Sequence, residues 1–417
     1  MQPALQNAFL KKGRVVVQAI KQSKRITESR IDRGNWPAVY AVALSTFAVV
    51  TTEMLPVGLM TPIAQAYDIS VGFAGLTISV PAILAALFAP VVVLAAGRID
   101  RRILLSGLMI LLMCANVISA LAPSFEWLLA ARVIVGFCMG GIWSVAGGLA
   151  GRLVPPQSAA PATALIFGGV AVASVLGVPL GAFAGELAGW RTAFAGMALF
   201  SLVVLITQLI VLPALPVDAS VRWSQFTAQF GGRPVQLGLL VTLLLVAGHF
   251  MAYTFVHPLL QNLSGFGSEW IGLLLFGYGI AGISGNFLAG MLAGRKTTQT
   301  LLAIAAGLTV TIAGFAIIGG SQISGAIMLV LWGLAYGGVS VSLQTWMMKS
   351  APDAIEIVTS LFVAVFNIGI ALGSFAGGRV VDGFGLHTTL LIAAALPAIA
   401  FLLTVFIRPA QHGEVKP

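Results

Sequence analysis

Thirteen acidic residues are spread over 417 positions, and one of them, Glu53, stands deep inside an apolar run, Thr51-Thr52-Glu53-Met54-Leu55-Pro56-Val57-Gly58-Leu59. The others, Asp68, Asp100, Glu126, Asp353, Glu356 and Asp382 among them, fall in polar segments or at the ends of apolar ones. A carboxylate placed in hydrocarbon is functional by default, because it can take and release a proton where water competes little. Its candidate partner is Arg132, which lies within another apolar run. An arginine there costs at least ~2.5 kcal/mol on insertion scales and must face a cavity or a counter-charge. Glu53 lies about seven residues from the far end of its run and Arg132 about five, so at 1.5 Å per residue their depths differ by only ~3 Å. A conformational change that alters the access of Glu53 to water, or its distance from Arg132, switches its proton affinity. Tied to the movement of a second solute, that switch is proton-driven antiport. The rival reading is a static, structurally paired carboxylate.

The remaining polar side chains within apolar runs are few. His249 lies near the middle of its run with Tyr253 one turn on, and His257 stands at its mouth. His249 could bind a solute, relay protons or bond to a neighbouring helix. Asn286, Gln344 and Asn367 offer amides, each a ligand contact or an interhelical bond, and Trp143, Trp332, Trp346 and Phe366 could line a cavity or pack. Together these groups suit a neutral, ring-containing, hydrogen-bonding small molecule better than a polyanion. Two of the four histidines lie in or beside an apolar run, eight residues apart and without a clustered carboxylate. That is no metal site, so neither an enzyme nor a cofactor is expected. Cys114 and Cys138 read as packing residues.

Such side chains need elements to hold them, and composition names the kind. The chain is 59% hydrophobic and 8% charged, with a mean hydropathy of +1.01, where a soluble domain is about 25% charged. A water-facing surface cannot be built from so few charges, and two cysteines make no disulfide scaffold. A helical membrane protein remains, each span needing about 20 apolar residues. Twelve runs qualify, at 37–60, 73–96, 103–122, 127–149, 160–184, 191–212, 236–257, 271–293, 300–318, 323–346, 356–377 and 386–407. They divide the chain into a basic tail 1–35, a six-helix half 36–212, a linker 213–235, a second half 236–408 and a tail 409–417. The tail 1–35 could lie on anionic lipid or stay in solvent.

With the N-terminus in the cytoplasm, 19 of the 22 basic residues fall on the cytoplasmic side, two (Arg191 and Arg379) on the other, and Arg132 within a span. This is the positive-inside pattern, so the net charge of +9 needs no nucleic acid to explain it. Both termini are then cytoplasmic. The halves also repeat: Gly136-Phe-Cys-Met-Gly140-Gly141 returns as Gly333-Leu-Ala-Tyr-Gly337-Gly338, and Leu180-Gly-Ala-Phe-Ala-Gly185 as Leu372-Gly-Ser-Phe-Ala-Gly377. Parallel repeats of this kind put a solute site between the halves near mid-membrane.

Three motifs give the chain a family resemblance. Gly97-Arg98-Ile99-Asp100-Arg101-Arg102, between spans 2 and 3, is similar to the Gly-x-x-x-Asp-Arg-x-Gly-Arg-Arg loop of the major facilitator superfamily, shortened by one residue before the Asp and lacking the x-Gly pair. Arg132-x-x-x-Gly136 in span 4 matches that family's Arg-x-x-x-Gly, and Gly177-Val-Pro179-Leu-Gly181 in span 5 resembles its Gly-Pro antiporter motif. The resemblance covers 36–408 and points to the twelve-span drug:proton antiporters. It implies an all-α fold of two pseudo-symmetric six-helix halves, a gating role for Asp100 and Arg101, and a multi-pass protein of a bacterial inner membrane, expected as a monomer. TTEMLPVGLM (51–60), AGHFMAY (247–253) and FNIGIALGS (366–374) resemble bacterial sugar efflux transporters, whereas RLVPP (152–156), GELAGWR (185–191) and NLSGFG (262–267) resemble purine ribonucleoside efflux pumps. The expectation is efflux of small neutral polar metabolites in exchange for protons, nucleosides slightly ahead of sugars. A multidrug exporter is the alternative, disfavoured because that class often carries more cavity acids.

Overall fold

In hydrocarbon every backbone N–H and C=O must be satisfied within the segment, so long runs of Leu, Ala, Val and Ile become helices. The computed structural model describes residues 34–95, 99–155, 158–216, 232–352 and 355–406. Nine of the described helices are long and apolar enough to cross a membrane. Two of these are double. Ser268–Ile318, 51 residues, and Ile355–Phe406, 52 residues, each contain one non-helical residue, Lys296 and Gly385 respectively. Unbroken, each would run to roughly 75 Å, more than twice the ~30 Å hydrocarbon core. Ala159–Ala188 is a further long helix, and the described helices are consistent with twelve spans.

Spans 1 to 7 are Trp36–Gly58, Val71–Ala74 continued by Leu76–Ala95, Arg101–Leu121, Phe125–Leu153, Ala159–Ala188, Trp190–Val211 and Arg233–Tyr253. Spans 8 and 9 flank Lys296, span 10 is Gln322–Gly337 continued by Val339–Ser350, and spans 11 and 12 flank Gly385. Local chemistry sets the ends. The Asn35 side chain accepts from Ala38 N–H, Ser70 Oγ from Phe73 N–H and Asp100 from Arg102 N–H, each supplying a helix N-terminus with an acceptor it lacks. The chain turns between spans 5 and 6 at Gly189 (φ 84°) and between spans 11 and 12 at Gly385 (φ 82°), a left-handed conformation that glycine tolerates. Span 11 runs on past 377, where the apolar run was expected to end. Gly377 and Gly378 are packing glycines inside the helix, and the break comes at Gly385. The basic tail expected to meet lipid or solvent, most of the linker and the last residues lie outside the described residues.

The repeated sequences do the same work in both halves. Gly177, Gly181 and Gly185 of span 5 bring its backbone onto span 1 at Thr51, Leu55 and Leu59. Gly369, Gly373 and Gly377 of span 11 meet span 7 at Val246, Ala247 and Met251. Gly136 of span 4 closes on Pro81 of span 2, as Gly333 and Gly337 of span 10 close on Tyr278 and Gly282 of span 8. Lipid tails are as apolar as the helices, so close backbone approach through small residues, rather than hydrophobic collapse, drives this packing. Between the halves, span 2 lies against span 11 and span 5 against span 8. An exchange of halves carries each of those seams into the other.

The two faces of the bundle differ. On the face where span 1 ends, here the far face, three hydrogen bonds cross between halves among the described residues: Ser70 Oγ–H and Gly72 N–H to Asp382, and Thr61 Oγ1 with His257 Nδ1. On the N-terminal face the described bonds stay within one half or reach the start of the linker, as in Asn35 to Leu153 and Val211, Arg102 to Leu209 and Lys349 to Gly294. Arg191, one of the two far-face cations, lies over the Trp190 ring at 4.3 Å and the Tyr67 ring at 5.7 Å, and donates to the Ala122 carbonyl. Burial pushes the Tyr67 phenol above its ordinary value, and the Arg191 cation partly offsets that.

Candidate functional site

Glu53 is 2% exposed in the far half of span 1, and the structure brings Arg132 to it by an unforeseen route. The guanidinium donates to three backbone carbonyls: Thr77 from Nε at 2.8 Å, Thr52 at 2.8 Å and Glu53 at 2.9 Å. Two prolines explain the choice. A proline has no N–H for the carbonyl four residues earlier; Pro56 thus deprives Thr52, and Pro81 deprives Thr77, of the usual helical donor. Arg132, itself fully buried, replaces both missing donors, and Gly136 one turn on lets span 4 approach Pro81 closely enough for it to do so. The Arg-x-x-x-Gly pattern is a staple across two proline-interrupted helices. The expected partnership of Glu53 and Arg132 thus runs through the backbone of Glu53. Oε1 of the carboxylate has no hydrogen-bond partner among the described residues.

Other buried polar atoms are left open as well. Thr51 Oγ1, Asn116 Oδ1, Tyr278 Oη and Asn367 Oδ1 also have no partner among the described residues. Native proteins hold few such groups, and each calls for an explanation in strain, function, or an ordered water or ion. Asn116 of span 3 donates to Thr52 Oγ1 at 3.1 Å, which puts its free oxygen beside the Glu53 segment.

Across the seam, the second half carries a column of rings. His249 stacks on Tyr336 with centroids 3.4 Å apart and on Tyr253 at 4.8 Å, and Tyr253 stacks on Tyr278 at 4.7 Å. Trp332 stands edge-on to His249 and donates its indole N–H to Nδ1 at 3.1 Å. Because indole can only donate, Nδ1 is the unprotonated nitrogen of the imidazole. Spans 7, 8 and 10 all contribute. Tyr336 alone of these five rings is half-buried rather than buried, and its phenol lies within electrostatic reach of the Glu53 carboxylate.

Of the expected residues, Arg132 bonds to the backbone of Glu53 in the first half, and His249 stacks on Tyr253 in the second. Asn367 is buried on span 11, its amide N–H donating to Val363 at 2.9 Å and its oxygen open. Asn286 and Gln344 are half-buried on spans 8 and 10, and no described hydrogen bond ties them to the column. Trp143 packs against the core on span 4, and Trp346 anchors to Pro234 at 3.0 Å. Gly177 and Gly181 seat span 5 on span 1, while Pro179 frees the Val175 carbonyl, which faces Gly279 of span 8 across the seam. Asp100 accepts from Leu215 N–H through both oxygens, at 2.9 and 3.0 Å, and Arg101 N–H donates back to Leu215 at 3.0 Å. That loop braces the start of the linker within one half; Gly97 lies outside the described residues. Tyr278, Tyr336 and Asn116 were not anticipated. The four-residue spacing of Trp332 and Tyr336, matching that of His249 and Tyr253, was the signal available. Among the described residues no three His, Cys, Asp or Glu side chains converge as a metal site would require.

A family model described as Major Facilitator Superfamily matches residues 42–356. The chain is 33% identical over 386 residues to the purine ribonucleoside efflux pump NepI of Escherichia coli K12, covering 91% of this chain and 97% of that protein. The protein of the same name from Shigella flexneri is as similar, 33% over 386 residues with the same shares of 91% and 97%. Among solved structures, a bacterial homologue of the human lysosomal transporter Spinster, inward-facing and occupied, superposes with a TM-score of 0.73 at 19% identity, over 88% of this chain and 95% of that one. A point mutant of the nucleoside transporter NupG does so with a TM-score of 0.71 at 16% identity, over 89% and 100%. At those identities the likeness is one of fold.

Proposed function

Since the chain belongs to the Major Facilitator Superfamily and is a membrane transporter rather than an enzyme, we propose that it exports small neutral polar solutes, purine nucleosides ahead of sugars, in exchange for protons. The observation that carries this reading is the pairing of a buried carboxylate bearing no ion-pair hydrogen bond with an aromatic column reached through Tyr336. A purine presents a flat π surface and a hydrogen-bonding edge. Offset stacking on Tyr336 and amide bonding to a group such as Asn367 meet both needs. The 33% identity to a purine ribonucleoside efflux pump supports the same solute class.

Glu53 supplies the coupling. With the far face open, the carboxylate takes a proton as the solute leaves; with the N-terminal face open, it gives the proton up as a solute arrives. Arg132 keeps spans 1, 2 and 4 together through both states, so that Glu53 moves as part of a rigid half. The distribution of Lys and Arg supports a cytoplasmic N-terminal face, hence an outward far face, in a bacterial inner membrane.

Counterflow in proteoliposomes tests the reading, with purine nucleosides, sugars and cationic dyes offered with and without a pH gradient. Saturable nucleoside exchange, accelerated when the far side is acid, is the expected result. Exchange of dyes alone would overturn the metabolite reading in favour of a multidrug exporter.

A further inference from the structure

The two halves match closely until the far end of span 11. In span 5 the last packing glycine, Gly185, is followed four residues later by the turn glycine Gly189; in span 11 the interval from Gly377 to Gly385 is eight residues. The second half therefore carries one extra helical turn, and Asp382 stands on it. Its carboxylate crosses the seam to the first half, accepting from Ser70 Oγ at 2.6 Å and from Gly72 N–H at 2.9 Å. Ser70 meanwhile accepts from Phe73 N–H at 3.0 Å. The start of span 2 is thus capped jointly, by its own serine and by an acid from the opposite half.

We propose that Asp382 is a gate residue, a latch that holds the far face shut by supplying span 2 with acceptors only while the halves are together. The charge suits the place. The first N–H groups of a helix lack intrahelical acceptors and carry the positive end of its dipole, so a carboxylate there is favourable. The strength suits the task as well. Asp382 is exposed to solvent, so when the halves part, water takes over both ends of the contact. The latch therefore biases the equilibrium without trapping it, whereas a fully buried ion pair would resist opening on every cycle.

A steric element lies beneath the polar one. Gly72 and Gly378 cross so closely that a methyl group on either would run into the other's carbonyl oxygen. Phe255, at the end of span 7, presses on both Gly75 and Gly377. The companion seam between spans 5 and 8 closes differently, with the Phe183 ring seated against Gly272. Asp382 itself lies at the seam of spans 2 and 11, on the turn that the first half lacks.

This inference rests on the alternating-access reading above, but its test does not require the solute. Full-length protein in nanodiscs carries nitroxide labels at Leu121→Cys and Ile323→Cys, exposed positions near the far ends of spans 3 and 10, with Cys114 and Cys138 replaced by alanine. Double electron–electron resonance then reads the distance between halves. Asp382→Ala is expected to raise the ratio of far-face-open to closed molecules about three- to tenfold, the range for loss of charge-assisted hydrogen bonds at a wet site. Ser70→Ala gives a smaller shift, and none in the Asp382→Ala background, because both act through one contact. Asp382→Asn retains one acceptor and falls between. Gly378→Ala opens the far face by wedging and shows that the label pair reports opening. An unchanged distribution in Asp382→Ala, beside a shift in Gly378→Ala, overturns the latch. Failure of nucleoside exchange with the Asp382→Ala shift intact would refute the solute assignment and leave the latch standing.

Discussion

Arg132 acts on backbone, and that changes what its loss should do. Removing it leaves Thr52 and Thr77 carbonyls without donors in a dry interior, each worth about 1–3 kcal/mol. Arg132→Ala is therefore expected to destabilise the folded protein by about 2–5 kcal/mol, read as a drop in unfolding temperature in detergent. Arg132→Lys recovers little, because an ammonium cannot span the carbonyls that the guanidinium fork reaches. In a Pro56→Ala background the cost of Arg132→Ala should shrink, since Thr52 regains an N–H donor from residue 56. A simple Glu–Arg ion pair predicts no such coupling to Pro56. Glu53 is free of that duty, so Glu53→Gln should fold normally, keep solute counterflow and lose acceleration by a pH gradient. Full retention of gradient-driven transport in Glu53→Gln would remove the coupling role.

Helix packing in this chain is written in glycine, but not every glycine is equal. Gly337 has the Gly282 carbonyl where a side chain would begin, and Gly337→Ala must push spans 8 and 10 apart, at about 1–3 kcal/mol for overpacking. Gly107 of span 3 has nothing within reach of an added methyl. There Gly107→Ala should be neutral or stabilising by up to about 1 kcal/mol through helix propensity alone. Thermal unfolding of the two variants side by side separates seam glycines from incidental ones. The repeats at 136–141 and 333–338 make this logic legible in the amino-acid order, because recurrence at matching places in two halves is improbable for idle glycines. The limit of that reading is visible at span 11. Gly377 and Gly378 look like a helix end in the sequence, yet both are consumed in packing, and the helix continues to Gly385.

For the whole molecule, the distribution of charge predicts one orientation. A reporter that fluoresces only in the cytoplasm should be active when fused after Pro417, and a phosphatase that works only outside should be inactive there. The reverse pattern would invert every inward and outward assignment made above. Closure of the far face by three described inter-half hydrogen bonds, against described bonds on the N-terminal face that stay within one half or reach the start of the linker, gives the molecule a direction. In the proposed cycle the far-face bonds break at each turn, while those bracing Asp100 and Lys349 persist.

Membrane spans, the two-half plan and the isolation of Glu53 were open to inspection in the amino-acid order because hydrocarbon is a strict solvent. It admits few charges and demands helices, so each exception is conspicuous along a single strand of text. The ring column was not, since His249 and Tyr253, Tyr278, and Trp332 and Tyr336 reach it from three different spans, and an aromatic in a membrane helix is ordinary by itself. Nor could spacing foretell that Arg132 would answer two prolines instead of one carboxylate, or that Asp382, to all appearance a helix-end acid, would cap a helix of the other half. Those are choices of direction and partner across distant segments, made by the packing of helices against one another.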